Sequence, residues 1–224
     1  MEIQQKKVEN TKFMRLILLG IIVSVAIITS ILLQLKNGQV VGDSTISSMF
    51  HATENAIIIG IFTLFTELGS VMGIGSLFVL SLLLIWWKFR DYAAMIILAI
   101  AVIGGDQLNK WLKEVTARER PSFDPGIYAE GFSFPSGHAM VGLAFYGFIG
   151  YYIITKLANK KARLYVAGIT AILIFNIGFS RIVLNAHYPS DVFGGFAFGF
   201  VFLVGCIMLY TYLNKIIPSK KKLL

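Results

Sequence analysis

A histidine and an aspartate four residues apart form the most chemically informative pair in this sequence. Asp191 follows His187, and Pro189 lies between them. Because proline suits the first position of a helix, we expect a helix to begin near Pro189, with Asp191 in its first turn. A carboxylate that accepts a hydrogen bond from one imidazole nitrogen leaves the other nitrogen free to react. The pair therefore fits a nucleophilic histidine that is oriented by an acid.

The segment Pro135-Ser136-Gly137-His138 has the pattern of a helix start that binds an anion. Serine is a favoured helix cap, and glycine lets the backbone approach a ligand closely. The free N–H groups at such a helix start attract negative charge. His138 would lie beside the anion, where it could donate a proton to a leaving oxygen.

Three basic residues supply positive charge near these two segments. Lys113 and Arg120 belong to a K-x6-R-P string, and Arg181 belongs to an S-R-x5-H-x3-D string that ends at Asp191. Arginine matches phosphate with paired donors, while lysine acts as a point charge. A phosphoryl group in transfer spreads its charge over three oxygens, and catalysis is largely the neutralisation and positioning of that charge. The combination predicts phosphoryl transfer.

The three strings resemble the signature of the type 2 phosphatidic acid phosphatase superfamily, and every defining position is matched between Lys113 and Asp191. The resemblance implies that His187 is the nucleophile and forms a phosphohistidine, that Asp191 orients it, and that His138 protonates the leaving alcohol and then activates water. It implies that the phosphate is held by five residues: Lys113, Arg120, Ser136, Gly137 and Arg181. It also implies that no metal or other cofactor is used, and these loops lack a carboxylate cluster suited to magnesium.

The resemblance further implies a membrane lipid with a terminal phosphate or pyrophosphate as the binding partner. Two substrates follow from it, phosphatidylglycerophosphate and undecaprenyl pyrophosphate, and we expect activity on both. Two alternatives stay open: a phosphotransferase in which another lipid replaces water, and a non-catalytic sensor of lipid phosphates. A haloperoxidase is a poor match, because the haloperoxidases of this superfamily are soluble.

Apolar blocks as long as a bilayer is thick would position these strings. The 224 residues are 56% hydrophobic and 14% charged, whereas soluble domains are about 25% charged. A span needs about 20 apolar residues, and six blocks approach that length: Leu16–Leu35, Val71–Trp87, Tyr92–Gly105 with an amphipathic extension, Ala139–Thr155, Leu164–Phe179 and Val192–Leu213. We interpret His51–Phe65 as an interfacial or re-entrant helix. The predicted fold is an all-α bundle of six transmembrane helices with interfacial helices in the outer loops, forming one domain over residues 1–224.

The basic residues predict the orientation of the bundle. The net charge of +8 could indicate nucleic acid binding in a soluble protein. Here, however, alternating the six spans places 14 of the 20 basic residues on one side, and short basic loops stay cytoplasmic. We therefore expect a multi-pass protein of the cell membrane with both termini in the cytoplasm and the three strings outside. Neither a nucleic acid nor an obligate protein partner is inferred.

Other polar residues have structural explanations. We expect His51 to be interfacial and Arg118 to repel or recruit headgroups without taking part in chemistry. We expect Asp106 and Asn109 to cap or hydrogen-bond near the outer end of the third span, and Asn176 to bond between helices. Cys206 is the only cysteine, which excludes a disulfide within the chain and a site built from several cysteines.

Overall fold

A computed structural model describes residues 2–51, 55–121 and 131–216 of the chain. Within these ranges the regular structure is helical, with no strand. Its helices are α1 (Glu2–Lys36), α2 (Asp43–His51), α3 (Ala56–Gly69), α4 (Val71–Phe89), α5 (Tyr92–Thr116), α6 (Gly137–Lys156), α7 (Lys160–Val183) and α8 (Pro189–Ile216). The last turn of α4 and a central turn of α5 have π-helical geometry.

Six of these helices are long and apolar enough to cross a membrane, namely α1, α4, α5, α6, α7 and α8. The predicted all-α fold with six spans is therefore confirmed. The third predicted block, short as a purely apolar run, continues as one helix from Tyr92 to Thr116. Leu18, Leu19 and Ile22 of α1 are exposed, as expected for side chains that face lipid.

The region between the first two spans differs from the single helix predicted over His51–Phe65. It contains two helices, α2 and α3, and the residues between His51 and Asn55 lie outside the described ranges. The Asn55 side chain caps α3 by accepting a hydrogen bond from the amide of Ile57 at 3.0 Å. A helix of 14 residues is about 21 Å long, which is shorter than the roughly 30 Å hydrocarbon layer. α3 is not among the candidate spans.

Helix α6 forms the centre of the bundle and packs mainly against α7 and α8. The contact between α6 and α8 depends on glycine. A Cβ atom on Gly195 would lie 2.7 Å from the carbonyl oxygen of Ser136, and one on Gly199 would lie 2.7 Å from that of Met140. These two glycines let the backbones of α6 and α8 approach closely where the histidine-containing segments begin.

The two ends of α5 mark opposite ends of the bundle, because 25 residues of helix extend about 37 Å. The end at Thr116 leads into the K-x6-R-P string, and we call it the motif end. The other end begins at Asp91, which caps the helix by accepting a hydrogen bond from the amide of Ala94 at 3.0 Å. We call it the Asp91 end.

Candidate active site

Main-chain hydrogen bonds join the three strings at the motif end. The amide of Ser136 donates to the carbonyl of Asp191 at 2.9 Å, which links the start of α6 to the first turn of α8. The amide of Ser133 donates to the carbonyl of Arg118 at 2.7 Å. The amides of Ala186 and His187 donate to the carbonyl of Arg181, the last-turn residue of α7, at 3.0 and 3.2 Å. The positions of the strings are thus fixed by backbone as well as by side chains.

His187 is buried, with 3% of its surface exposed, and its two ring nitrogens have different neighbours. Nε2 lies 3.1 Å from an Nη atom of Arg120, while Nδ1 lies 3.3 Å from Oγ of Ser133 and 3.5 Å from Oδ2 of Asp191. Because a guanidinium can only donate, Nε2 must accept, which assigns the proton of the neutral ring to Nδ1. The lone pair of Nε2 therefore points toward the basic residues.

Burial favours this neutral form of His187. It lowers the pKa of His187 to about 4, because desolvation of the imidazolium and repulsion by Arg120 and Arg181 outweigh the attraction of Asp191. At neutral pH the ring is uncharged and Nε2 keeps its lone pair. A nucleophilic histidine needs this protonation state.

Asp191 is fully buried, and both of its carboxylate oxygens are occupied. Oδ1 accepts from Arg118 at 2.6 Å, while Oδ2 accepts from the hydroxyl of Ser133 and from the amide of Tyr188 at 2.9 Å. The expectation that Arg118 repels or recruits lipid headgroups is therefore wrong. Its guanidinium lies instead inside the motif end, within 4.3 Å of the ring centre of Tyr188.

The three predicted phosphate-binding cations converge on His187. Arg120 donates to the carbonyls of Gly131 and Ala186 at 2.9 and 2.8 Å, beside its contact with Nε2. Burial lowers the pKa of Arg120, and Asp191 opposes this shift. Lys113 donates to the carbonyl of Phe132. The three cations Lys113, Arg120 and Arg181 are close enough to repel one another electrostatically. Like charges held this close favour an anion between them.

His138 lies in the first turn of α6 and faces α3. It hydrogen bonds to the backbone of Thr66 and is near enough to His187 and Arg181 to interact electrostatically with both. A Cβ atom on Gly69 would lie 2.7 Å from the ring of His138. The close approach of α3 to His138 therefore requires glycine at position 69.

Two buried donors of the predicted site have no hydrogen-bond partner among the described residues. They are the hydroxyl of Ser136 and Nε of Arg181. Ser136 occupies the N-cap position of α6, but its side chain makes no cap bond within the described structure. Because buried polar groups are normally paired, these two donors are available to a bound acceptor. Gly137 lets the Asn109 side chain approach the start of α6 closely, since a Cβ atom at position 137 would lie only 3.0 Å from Oδ1 of Asn109.

Several residues near the site were missed or misassigned from the sequence. Ser133 and Thr66 belong to none of the three strings, and no local pattern distinguishes them. The hydroxyl of Thr66 accepts a hydrogen bond from Arg181. Asn109 is not among the missed residues, because it forms a hydrogen bond near the motif end of the third span as expected, to the carbonyl of Pro135 at 3.1 Å. Asn176 bonds within its own helix, to the carbonyl of Ile172 at 2.8 Å, so the expected bond between helices is wrong.

Comparison with known proteins decides the family. Residues 88–215, more than half of the chain, match the PAP2 superfamily. The chain belongs to the PAP2 superfamily. All three strings lie within the matched residues of this PAP2 protein, and the likeness expected from them is confirmed. The part of α2 that contacts the site lies outside the match.

Among curated relatives, this PAP2 chain is 41% identical over 108 residues to phosphatidylglycerophosphatase B of Bacillus subtilis, covering 46% of the chain and 52% of the relative. It is 24% identical to lipid phosphate phosphatase delta of Arabidopsis thaliana, covering 82% of the chain and 46% of the relative. It is 26% identical to dolichyldiphosphatase of Saccharomyces cerevisiae, covering 66% of the chain and 67% of the relative. The chain spans about half the length of the first two relatives.

Solved structures show the same architecture. The crystal structure of a transmembrane PAP2-type phosphatidylglycerolphosphate phosphatase from Bacillus subtilis matches with a TM-score of 0.72 at 25% identity, over 89% of this chain and 96% of that one. The structure of LpxE from Aquifex aeolicus matches with a TM-score of 0.58 at 20% identity, over 74% of this chain and 94% of that one. Together with six long apolar helices, these matches make the chain a multi-pass membrane protein with the fold of membrane PAP2 phosphatases.

Proposed function

We propose that this protein hydrolyses the terminal phosphate of membrane lipids through a phosphohistidine at His187. The convergence of Lys113, Arg120 and Arg181 on a buried, neutral imidazole carries the proposal. The carboxylate beside them, Asp191, is already engaged by Arg118. A phosphate group between the three cations would relieve their repulsion and would accept from the unpaired donors of Ser136 and Arg181.

The geometry supports a two-step reaction. Nε2 of His187 attacks phosphorus, the bond from phosphorus to the lipid oxygen breaks, and His138 gives its proton to the departing oxygen. Asp191 stabilises the positive charge that develops on the imidazole, through Nδ1–H. In the second step His138 takes a proton from water, the resulting hydroxide attacks phosphorus, and the P–N bond breaks. Inorganic phosphate leaves, and His187 returns to its neutral form.

A groove beside His138 supports a lipid as the substrate. Its volume is about 350 Å³, and it lies between α4 and α5, with His138 and Gly137 at one side and Val71, Ile74 and Val102 along its walls. An apolar groove that reaches an acid–base residue from the flank of a bundle suits a molecule whose phosphate enters the site while its tails stay in the bilayer. An aqueous phosphomonoester would not need such walls.

Phosphatidylglycerophosphate and undecaprenyl pyrophosphate are the proposed substrates. The first is favoured by the likeness to phosphatidylglycerophosphatase B, and the likeness to dolichyldiphosphatase, whose name denotes a polyprenyl diphosphate substrate, favours the second. Among the described residues, no group of three or more histidine, cysteine or acidic side chains could hold a metal ion. We propose that the reaction needs no metal.

We also propose that the motif end faces outward and both termini face the cytoplasm, as the distribution of basic residues favours. In a Cys206→Ala background, Glu119→Cys reports on the motif end and Lys161→Cys on the opposite side; both positions are exposed. A membrane-impermeant maleimide applied to intact cells should label the first variant and not the second. The reverse labelling would invert the proposed orientation.

Phosphate release by the purified protein in detergent tests the function. Wild type, His187→Ala and His51→Ala would be assayed with each lipid, with and without EDTA. The His51 variant is the matched control, because the chain has three histidines and His51 lies outside all three strings. We expect His187→Ala to reduce kcat on the order of 10⁶-fold, as loss of a nucleophile does elsewhere, with wild-type activity in the control and no effect of EDTA.

Each other outcome has a defined meaning. Equal release by wild type and His187→Ala would exclude the histidine mechanism. Transfer of phosphate to a second lipid without release into solution would indicate the phosphotransferase. Lipid binding that survives His187→Ala, with no turnover by the wild type, would indicate the sensor. Loss of activity in EDTA that added metal restores would exclude the metal-free reaction.

A further inference from the structure

An arginine outside the family signature connects the carboxylate of the site to a helix outside the matched region. Arg118 occupies one of the variable positions between Lys113 and Arg120. One Nη atom of Arg118 donates to Oδ1 of Asp191 at 2.6 Å, and the other donates to Oδ2 of Asp43 at 2.6 Å. Asp43 is the first residue of α2, which precedes the matched residues 88–215.

Further contacts close this network. Asp43 accepts from the amide of Ser190 at 2.9 Å and from its hydroxyl, and that hydroxyl accepts from Arg118 at 2.7 Å. Asp43 is 5% exposed and the Arg118 side chain 12%. Because each of its two Nη atoms donates to a carboxylate, the guanidinium of Arg118 cannot turn toward the region between the cations around His187. It is therefore placed to act on Asp191 and not on the phosphate.

The network determines which oxygen of Asp191 faces the histidine. Arg118 occupies Oδ1, so Oδ2 is left for Ser133, Tyr188 and Nδ1 of His187. Without Arg118, a fully buried carboxylate would lose the cation beside it and the contact that limits its rotation. Both losses would weaken the support that Asp191 gives to the imidazolium formed when Nε2 attacks phosphorus.

We propose that Arg118 and Asp43 are positioning residues of the reaction, which act through Asp191 on His187. Helix α2 thereby becomes part of the catalytic apparatus, although it lies outside the region that defines the family. This inference rests on the proposed phosphatase function, and the experiment below separates the failure of one from the failure of the other.

Removing the charge of Arg118 should also change the pH dependence. The charged or titratable groups around His187 are Asp191 on α8, Arg120 and Lys113 from the first string, Arg181 on α7 and His138 on α6. Loss of a cation beside Asp191 makes protonation easier at either Asp191 or His187. Both effects move the acidic limb of kcat/KM to higher pH.

The test compares Arg118→Gln, Arg118→Lys and Asp43→Asn with wild type in detergent. We expect Arg118→Gln to lower kcat about 10–100-fold, the size of effect seen at metal sites when a residue that orients a ligand is lost, while KM and inhibition by inorganic phosphate change little. Arg118→Lys should recover part of kcat, because it restores a charge beside Asp191. Asp43→Asn should lower kcat less than Arg118→Gln, since Arg118 keeps its bond to Asp191.

Lys156→Gln is the matched control, because it removes the cation beside Asp91, a fully buried carboxylate at the other end of the bundle. It should lower thermal stability without moving the acidic limb. An Arg118→Gln protein that melts lower, yet keeps the wild-type acidic limb and kcat per folded molecule, would overturn the inference and leave the phosphatase function intact. A wild type that releases no phosphate would instead overturn the proposed function.

Discussion

Two fully buried aspartates lie at opposite ends of this bundle, and both are paired with a cation. Asp191 contacts Arg118 at 2.6 Å at the motif end. At the Asp91 end, Asp91 lies 3.5 Å from Lys156 and accepts from the hydroxyl of Tyr210 at 2.9 Å. By burial and charge pairing alone the two carboxylates are similar.

Their surroundings differ in what remains available for chemistry. Lys156 is enclosed by aromatic rings, with Nζ 4.7 Å from the ring centre of Tyr152 and 5.4 Å from that of Phe89. No histidine is near Asp91 in the described structure. Asp191, by contrast, lies beside a neutral imidazole, whose Nε2 faces Arg120, and near three further cations. A buried ion pair is therefore weak evidence for catalysis, and an adjacent imidazole surrounded by further cations is better evidence.

Matched amide substitutions give the largest expected contrast. Asp191→Asn should reduce kcat about 10⁴-fold, as the equivalent change does in a serine protease triad, because an amide cannot stabilise the imidazolium. Asp91→Asn should leave kcat and KM unchanged per folded molecule, while the loss of one member of a buried ion pair lowers stability by about 3–5 kcal/mol. Initial rates and thermal unfolding in detergent measure both. Equal losses of kcat in the two variants would remove the distinction between the two ends.

The pH dependence of activity should also distinguish the motif end from the Asp91 end, by a smaller effect. Because the pKa of His187 is lowered to about 4, the ring is neutral and reactive above that pH, and kcat/KM should fall as the pH drops through about 4. The contribution of His187 to the free energy of unfolding has a related dependence. It is fully present above the pKa of histidine in the unfolded chain, about 6.5, and it is lost as the pH falls from about 6.5 to about 4. Asp91→Asn should reproduce the wild-type acidic limb. A limb near 6.5 in the wild type would contradict a desolvated His187.

The smallest effect concerns two glycines on α8. Gly195→Ala would place a methyl group 2.7 Å from the carbonyl of Ser136, and we expect a loss of about 1–3 kcal/mol from overpacking, with a lower kcat because α6 must shift. Gly205, nearer the Asp91 end, has no neighbour within 4 Å of an added Cβ. Gly205→Ala should be neutral or stabilising by up to about 1 kcal/mol. Thermal unfolding of the two variants makes the comparison, and tolerance of alanine at position 195 would show that the helix contact is looser than described.

The sequence predicted those features that repeat locally or follow a known pattern. Six apolar blocks of bilayer length gave the spans, and the spacing of His187 and Asp191 around Pro189 placed the aspartate in the first turn of α8, as the structure shows. The roles assigned to the individual site residues stay predictions. They depend on chemistry that only an assay measures.

Partners from distant segments could not be predicted. Asp43 and Arg118 are 75 residues apart, and neither occurs in a pattern that distinguishes it from a surface charge. The sequence therefore predicts only a role at the headgroups for Arg118, and it distinguishes neither Ser133 nor Thr66 from other residues. Likewise, the predicted segment His51–Phe65 contains the end of α2 and most of α3, and Asn55 caps α3 where its apolar run begins.

The hydrogen bond from the amide of Ser136 to the carbonyl of Asp191 has a consequence for evolution and for redesign. Every residue except proline carries that amide, so the bond between the two helix starts survives replacement of the buried Ser136 by another small residue. Selection at this position can then act on the hydroxyl alone, because the architecture does not depend on it. Natural variants and engineered ones can thus change the polar group at position 136 while His138 and His187 keep their mutual placement.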